Sequence, residues 1–314
     1  MSSSLALRRF ADADSLLDVA AGFLGETAGA SNLTTGILGS LRVDPAPPVD
    51  LYLGAVVDGG PDARGPEARD SEARDLDPAA ATELGAIRLV ALRTPPLNLV
   101  LSACVEPSAV DLLLDDLIAA GTALPGVIGP TDVAGRFARE WALRSGETAV
   151  LVRHERSHRL RRLIPIPSER VPRGRARPAT AADHDLVTRW LVAFHAEAVP
   201  DAPRREMESD ARRWLTLHGR TLWLWEVDDR VVSFAGLNLT GGSIVRVGPV
   251  YTPPAERRRG FAAAVTSAAT AVGIADGADC YLFTDLANPT AHAIYARLGY
   301  EGVADLDEWR FGRG

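Results

Sequence analysis

The chemically richest stretch of the sequence runs Val247-Gly248-Pro249-Val250-Tyr251-Thr252-Pro253-Pro254-Ala255-Glu256-Arg257-Arg258-Arg259-Gly260-Phe261-Ala262. An apolar run that reads as a strand ends there. A tight loop then carries three arginines and a glycine, and a helix begins on small residues. The first amides of a helix have no intrahelical acceptor and lie at the positive end of its dipole, so both favour a polyanion. Three cations beside that helix start oppose the same dipole and are mildly destabilising unless an anion joins them. The stretch therefore reads as a phosphate cradle, in which Gly260 lets a phosphate approach the backbone and Ala262 keeps the next turn low. The plainer alternative is a charged helix start that tolerates the mismatch.

The cradle has no lysine because the chain has none: all 34 basic side chains are arginine. That absence excludes Schiff-base aldolases, pyridoxal-phosphate enzymes, Walker-type phosphate loops and the phosphate clamp of protein kinases. The net charge of -7 over 314 residues argues against a nucleic-acid partner. The two cysteines, Cys104 and Cys280, form no CxxC pattern, so neither a disulfide framework nor a structural zinc site is expected. No apolar leader precedes Arg8 and Arg9, and the uncharged stretch 261–275 is too short to span a bilayer. The expectation is a cytoplasmic protein with no membrane partner.

Positioning the cradle requires a strand before it and a packed helix behind it. The second half supplies them: helices over 183–198 and 206–218, then strands over 221–227, 231–239 and 243–251. A long helix follows to about 275, with Phe261, Val265, Ala268, Ala269 and Val272 on one stripe. A buried strand over 280–284 leads through Asn288-Pro289 into a helix that Gly299 stops, and two short strands lie near 300–301 and 309–311. The first half repeats this order. Two helices and a strand occupy 11–57, strands recur at 84–92 and 97–104, and a helix follows Pro107. A short strand at 127–128, a helix over 131–143 and a hairpin of 148–153 with 160–166 complete it. Residues 58–78 carry Gly, Pro and mixed charge with almost no large apolar residue, and read as a mobile insertion. The stretch 165–178 holds four prolines with Arg170, Arg173, Arg175 and Arg177; it reads as a solvated linker, with the domain boundary at 168–177.

The R-x-x-G-x-A spacing of Arg257, Gly260 and Ala262, behind a strand ending Val250-Tyr251, resembles motif A of the GNAT acyltransferase superfamily. The run from Cys280 to Tyr300, with Asn288, Tyr295 and the closing Gly299-Tyr300, is similar to motif B. The resemblance covers about 176–314. It implies an α+β (α/β) fold of two tandem GNAT-like domains, 1–167 and 178–314, each a mixed, mostly antiparallel sheet flanked by helices. It implies acetyl-CoA as co-substrate and no metal, with coenzyme-binding positions Val250, Thr252, Arg257, Arg258, Arg259, Gly260, Phe261, Ala262, Ala263 and Asn288. The amides of 258–263 would hold the pyrophosphate. Gly248-Pro249 would form the bulge that opens a V for the pantetheine. The Val250 backbone would polarise the thioester carbonyl, Asn288 would bond the pantetheine arm, and Tyr295 would protonate the departing thiolate. The alternative for Tyr295 is an aromatic core residue beside Ile294 and Leu298.

The base is left open, because 243–250 contains no carboxylate; Glu226, Asp285, His195, Glu197 or water could serve. His292 is expected on the exposed side of its helix, and the other histidines show no ligand spacing. In the first half the matching segment, Cys104 to Asp116, has lost the Arg, Gly and Ala of the cradle and gained Asp111, Asp115 and Asp116. Phe137 stands where a tyrosine would be expected. That half reads as a degenerate copy without coenzyme. The expected function is acetyl transfer from acetyl-CoA to an amine-bearing small molecule or peptide by direct attack in a ternary complex. The alternatives are a non-catalytic acyl-CoA-binding sensor and a tandem enzyme resembling mycothiol synthase. The acceptor and the oligomeric state are left open.

Overall fold

The structure, a computed structural model, describes residues 4–44, 48, 50–59, 85–198, 214, 219–239 and 243–312. The expected insertion at 58–78 and helix at 206–218 fall, apart from Asp58, Gly59 and Trp214, outside the described residues.

In chain order the elements begin with β1 (Leu5–Arg9), α1 (Ala13–Glu26), α2 (Ala28–Arg42), β2 (Tyr52–Asp58), β3 (Ile87–Arg93) and β4 (Leu99–Leu101). Next come α3 (Ser108–Ala119), β5 (Gly126–Pro130), α4 (Thr131–Ser145) and β6 (Thr148–Leu160). After them lie β7 (Arg175–Pro178), α5 (His184–Ala198), β8 (Arg220–Val227), β9 (Arg230–Leu239) and β10 (Ile244–Tyr251). The chain closes with α6 (Phe261–Gly273), β11 (Asp279–Asp285), α7 (Pro289–Leu298) and β12 (Tyr300–Gly312). Two compact units result: Met1–Arg156 with Val303–Gly314, and Ser157–Gly302. This division differs from a break at 168–177, because β12 pairs antiparallel with β5 from Leu306↔Pro130 to Arg310↔Gly126.

In the first unit the strands neighbour in the order β1-β2-β3-β4-β5-β12. The β4–β5 pair is parallel, and the other pairs from β1 to β12 are antiparallel. Two apolar clusters cover the two faces of this sheet. One packs Leu16, Leu24 and Leu38 of α1 and α2 against Leu53, Val90 and Leu92. The other packs Leu113, Leu117, Phe137 and Trp141 of α3 and α4 against Leu89, Leu99 and Val127. Phe311 of β12 enters that second cluster, with its ring 5.7 Å from Trp141. The expected hairpin over 148–166 and the two short closing strands are instead single long strands, β6 and β12. Charged pairs join them in place of apolar alternation: Arg153 with Glu308, His154 with Asp307 and Arg156 with Asp305.

The second unit orders its strands β11-β10-β9-β8-β7. β10 and β11 are parallel, and the remaining pairs are antiparallel. α5 packs on one face through Val187 and Leu191, against Leu224 and Phe234. α6 and α7 pack on the other through Phe261, Val265, Tyr295 and Leu298, against Val245, Val247 and Leu282. Each unit is thus a sheet between helical layers, with one parallel pair at the corresponding place. Among the described residues no helix is long and apolar enough to cross a membrane.

The stretch read as a solvated linker is partly an edge strand. Arg175↔Glu226 and Arg177↔Leu224 lie in register between β7 and β8. Arg177 donates to Glu226 Oε2 at 2.7 Å and to both oxygens of Asp183, at 2.8 and 2.9 Å. Asp183 also completes a capping box with Thr180 ahead of α5. The Arg177 guanidinium and the Thr180 donors hold the Asp183 carboxyl well below the usual carboxylate range. A depressed pKa contributes stability above the unfolded value, near 4, and that contribution fades as pH falls below it. Asp183→Asn is expected to cost about 1–2 kcal/mol at neutral pH in denaturant unfolding. The gap to wild type should close as the medium is acidified; a gap independent of pH would show that the ionised carboxylate is not what matters.

Candidate active site

The two parallel strands of the second unit pair only at Ile244↔Asp279, Val245↔Cys280 and Arg246↔Tyr281. Both continue, β10 to Tyr251 and β11 to Asp285, so beyond Arg246 they diverge into a V. On its other side β10 stays with β9 but slips register between Val247 and Val250, which places a bulge at Gly248-Pro249. Crevices beyond the carboxyl ends of parallel strands are where layered α/β sheets take ligands. Tyr251 gives its carbonyl to Ser233 Oγ on the β9 side. The alternation of a strand then turns the Val250 N–H and C=O the other way, towards the V.

The loop from β10 to α6 holds the cradle. Gly260 is the N-cap of α6 with φ 84°, and no side chain caps the helix. A Cβ at Gly260 would meet only Pro172, at 3.8 Å, so the left-handed backbone rather than crowding calls for glycine. Arg258 also has a positive φ, 64°, an uncommon conformation for a residue with a side chain. The first turn of α6 has no acidic residue. Its N–H groups and dipole thus face outward without a protein anion.

The three arginines differ in what they hold. Arg257 donates from Nε to the Thr252 carbonyl at 2.9 Å and from its terminal nitrogen to Glu197 at 2.7 and 2.8 Å. Its guanidinium also lies 5.9 Å from the centre of the Tyr251 ring. Arg259 pairs with Glu256 and lies over the Phe261 ring at 4.9 Å. Arg258 is exposed and makes no ion pair or hydrogen bond among the described residues. Phe261 is buried in the core, so only its amide can serve a ligand, whereas Ala262 and Ala263 are half-buried. Thr252 is buried, with its hydroxyl 2.8 Å from Ser233 Oγ.

On the far side of the V, Asn288 is the N-cap of α7, and its Oδ1 accepts from the Ala291 amide at 3.0 Å. Its side-chain NH₂ is not engaged by that cap. Tyr295, two turns on, is only 9% exposed, and burial alone pushes its phenol up to about 12. By contrast the buried Tyr300 hydroxyl meets Thr270 at 2.7 Å and Cys280 at 3.2 Å. Gly299 ends α7 in the left-handed conformation, and a Cβ there would lie 2.0 Å from the Arg162 carbonyl, so only glycine fits.

His292 departs from expectation. It is half-buried, with ring nitrogens 3.3 and 3.4 Å from Thr284 Oγ1, and Thr284 in turn lies 2.9 Å from His158 Nε2. A histidine among alanines gives no hint of this in sequence, because the partners come from β6 and β11. Ser233 was equally silent, being one small polar residue in an apolar strand.

The base candidates scatter. Glu226 is taken by Arg177 and Arg175, which hold its carboxyl below the ordinary range, so it is a poor proton acceptor. Asp285 is exposed and accepts from the Ala287 amide at 2.7 Å. Glu197 is bound to Arg257, and His195 lies on α5 with its ring 5.6 Å from Phe194. Among the described residues no group of His, Cys, Asp and Glu could hold a metal ion.

The corresponding corner of the first unit is filled from within. The Ala103 amide, just past β4, donates to Ser31 Oγ at 3.0 Å, and Ser102 bonds back to Val90 through both amide and hydroxyl. The first turn of α3 contains Asp111, and Glu106 precedes the helix with its carboxylate on Ser108. Neither helix start has a side-chain cap, but acids lie at that of α3 and none lies in the first turn of α6.

A sheet splayed at a bulge, facing an uncapped helix start, defines the class: a layered α/β fold with a ligand-sized crevice beyond its parallel strands. Residues 185–300 match the acetyltransferase (GNAT) family model, and this stretch of the chain is a GNAT domain. No curated protein sequence matches the chain. Several solved structures share the fold across its length. A Drosophila protein is 14% identical with a TM-score of 0.62, covering 98% of each chain. A GCN5-related N-acetyltransferase from Sphaerobacter thermophilus is 16% identical with a TM-score of 0.55, covering 99% of this chain and 96% of that one. A tandem GNAT protein from the clavulanic acid biosynthesis pathway is 12% identical with a TM-score of 0.54, covering 98% of each. The tandem arrangement is therefore a known form of this fold.

Proposed function

We propose that the protein is an acetyl-CoA-dependent N-acetyltransferase whose chemistry belongs to the second unit. The observation that carries the reading is the V between β10 and β11, bounded by the uncapped, acid-free start of α6 and by Tyr295 of α7. The pyrophosphate takes the amides of 258–263 with Arg258, the arginine whose guanidinium has no partner among the described residues. The pantetheine runs along the open edge of β10 and meets the Asn288 amide. The Val250 N–H points at the thioester carbonyl oxygen, where negative charge develops. The acceptor nitrogen attacks the carbonyl carbon, a C–N bond forms as the C–S bond breaks, and the Tyr295 phenol gives its proton to the sulfur. The proton lost by the nitrogen leaves through water or a neighbouring base and restores the phenol. Arg257 and Arg259 act by shaping the loop, since their guanidinium groups are held by Glu197, Thr252 and Glu256.

Calorimetric titration of the full chain with acetyl-CoA tests this. One site per chain is expected, because the first unit has closed its own corner with Ser31 and lined its helix start with acids. Two equivalent sites, or none, would overturn the assignment.

A further inference from the structure

We infer that Ser233 and Thr252 form a positioning pair that aims the backbone of β10 at the reacting carbonyl. Ser233, on β9, is fully buried and Thr252 is 9% exposed. Ser233 Oγ donates to the Tyr251 carbonyl at 3.0 Å and lies 2.8 Å from Thr252 Oγ1. A serine hydroxyl has one proton, and the carbonyl takes it. The hydrogen between the two hydroxyls must then come from Thr252, so the direction of the chain is fixed: Thr252 to Ser233 to the Tyr251 oxygen. In a planar trans peptide the C=O and the following N–H point in opposite directions. Drawing the Tyr251 oxygen towards β9 therefore drives the Thr252 N–H towards β11, and strand alternation sends the Val250 N–H the same way. The device is placed where it is needed. The β9–β10 ladder slips at Gly248-Pro249 and resumes only at Val250↔Ala235 and Tyr251↔Phe234, while β10 has already left β11, so the end of the strand is held from one side alone. Two buried hydroxyls add a constraint on that held side, at the point where the ladder ends. Preorganised donors act because they need no reorientation during the reaction.

The inference rests on acetyl-CoA lying in the V, and the test separates the two. Wild type and variants are titrated with acetyl-CoA carrying ¹³C at the thioester carbonyl, and that resonance is followed in the bound state. Binding to wild type should move it downfield, the sign of hydrogen-bond donation to the oxygen. Ser233→Ala and the isosteric Thr252→Val should lose most of that movement, with the dissociation constant held within about threefold and thiol release slowed about tenfold. Thr252→Ser, which keeps the hydroxyl, should retain the shift. A purely structural role would lower the melting temperature of the variants and leave the bound carbonyl resonance where it is in wild type. That result, or equal behaviour of Thr252→Ser and Thr252→Val, overturns the inference. Wild type that fails to bind acetyl-CoA overturns the function it rests on.

Discussion

Tyr295→Phe is expected to lower turnover by about 10²–10⁴-fold while leaving acetyl-CoA affinity close to wild type. The phenol lies inside the apolar cluster of Leu282, Leu298 and Tyr300, and burial is what raises its pKa to about 12. It therefore remains a neutral acid across the working pH range and can donate when charge builds on the sulfur. Two further signatures make the assignment specific. The Tyr295 hydroxyl has no hydrogen-bond partner among the described residues, so removing it breaks no bond within the protein. The Phe variant should melt no lower than wild type, whereas Tyr300→Phe, which loses contacts to Thr270 and Cys280, should be less stable by about 1–2 kcal/mol. An ordinary tyrosine would begin to ionise near pH 10. Here the rate, read as thiol release, should show no alkaline fall from the phenol below that pH. An unchanged rate in the Phe variant removes Tyr295 from the mechanism, whereas wild type that binds acetyl-CoA but releases no thiol with any amine, peptide or thiol acceptor reads better as an acyl-CoA sensor.

The second large effect is expected at the cradle. Gly260→Asp should weaken acetyl-CoA binding by about 100-fold, close to 2.7 kcal/mol. The left-handed φ of 84° strains any side chain there, but the space itself is open, with Pro172 the nearest neighbour. Asp and Asn both tolerate that backbone better than most residues. Their difference therefore isolates charge: a carboxylate a few ångströms from the pyrophosphate would repel it by about 1–4 kcal/mol, depending on screening, and would satisfy the α6 amides itself. Gly260→Asn is expected to bind markedly better than the aspartate variant, and added salt should narrow the gap. Equal losses in both variants would assign the effect to the backbone. No loss in either would mean that the coenzyme does not use this loop.

Much of this site was legible before folding because its signals are local. A strand giving way to an arginine-rich loop, a glycine and small helical residues states its phosphate chemistry within one short stretch, and helix starts obey rules of near neighbours. Gly299 could be read as a helix stop for the same reason. The repeated element order likewise followed from apolar periodicity, which reports burial one element at a time.

What sequence alone could not supply came from partners distant in the chain. β1 and β7 are short and arginine-bearing, with no apolar alternation to betray them; each exists because a neighbouring strand offers a ladder, β2 to the one and β8 to the other. β6 and β12 looked broken because their middles are charged, and they are continuous because each charge meets its opposite across the pair, as Arg156 meets Asp305. The three arginines of the cradle look equivalent in sequence. Only the fold separates Arg258, which is free among the described residues, from Arg257 and Arg259, which are held by Glu197 and Glu256. The amino-acid sequence determined where a phosphate could be held, because helix-end electrostatics are local. The tertiary structure decided which groups remain unengaged to act on it, because engagement depends on who packs alongside.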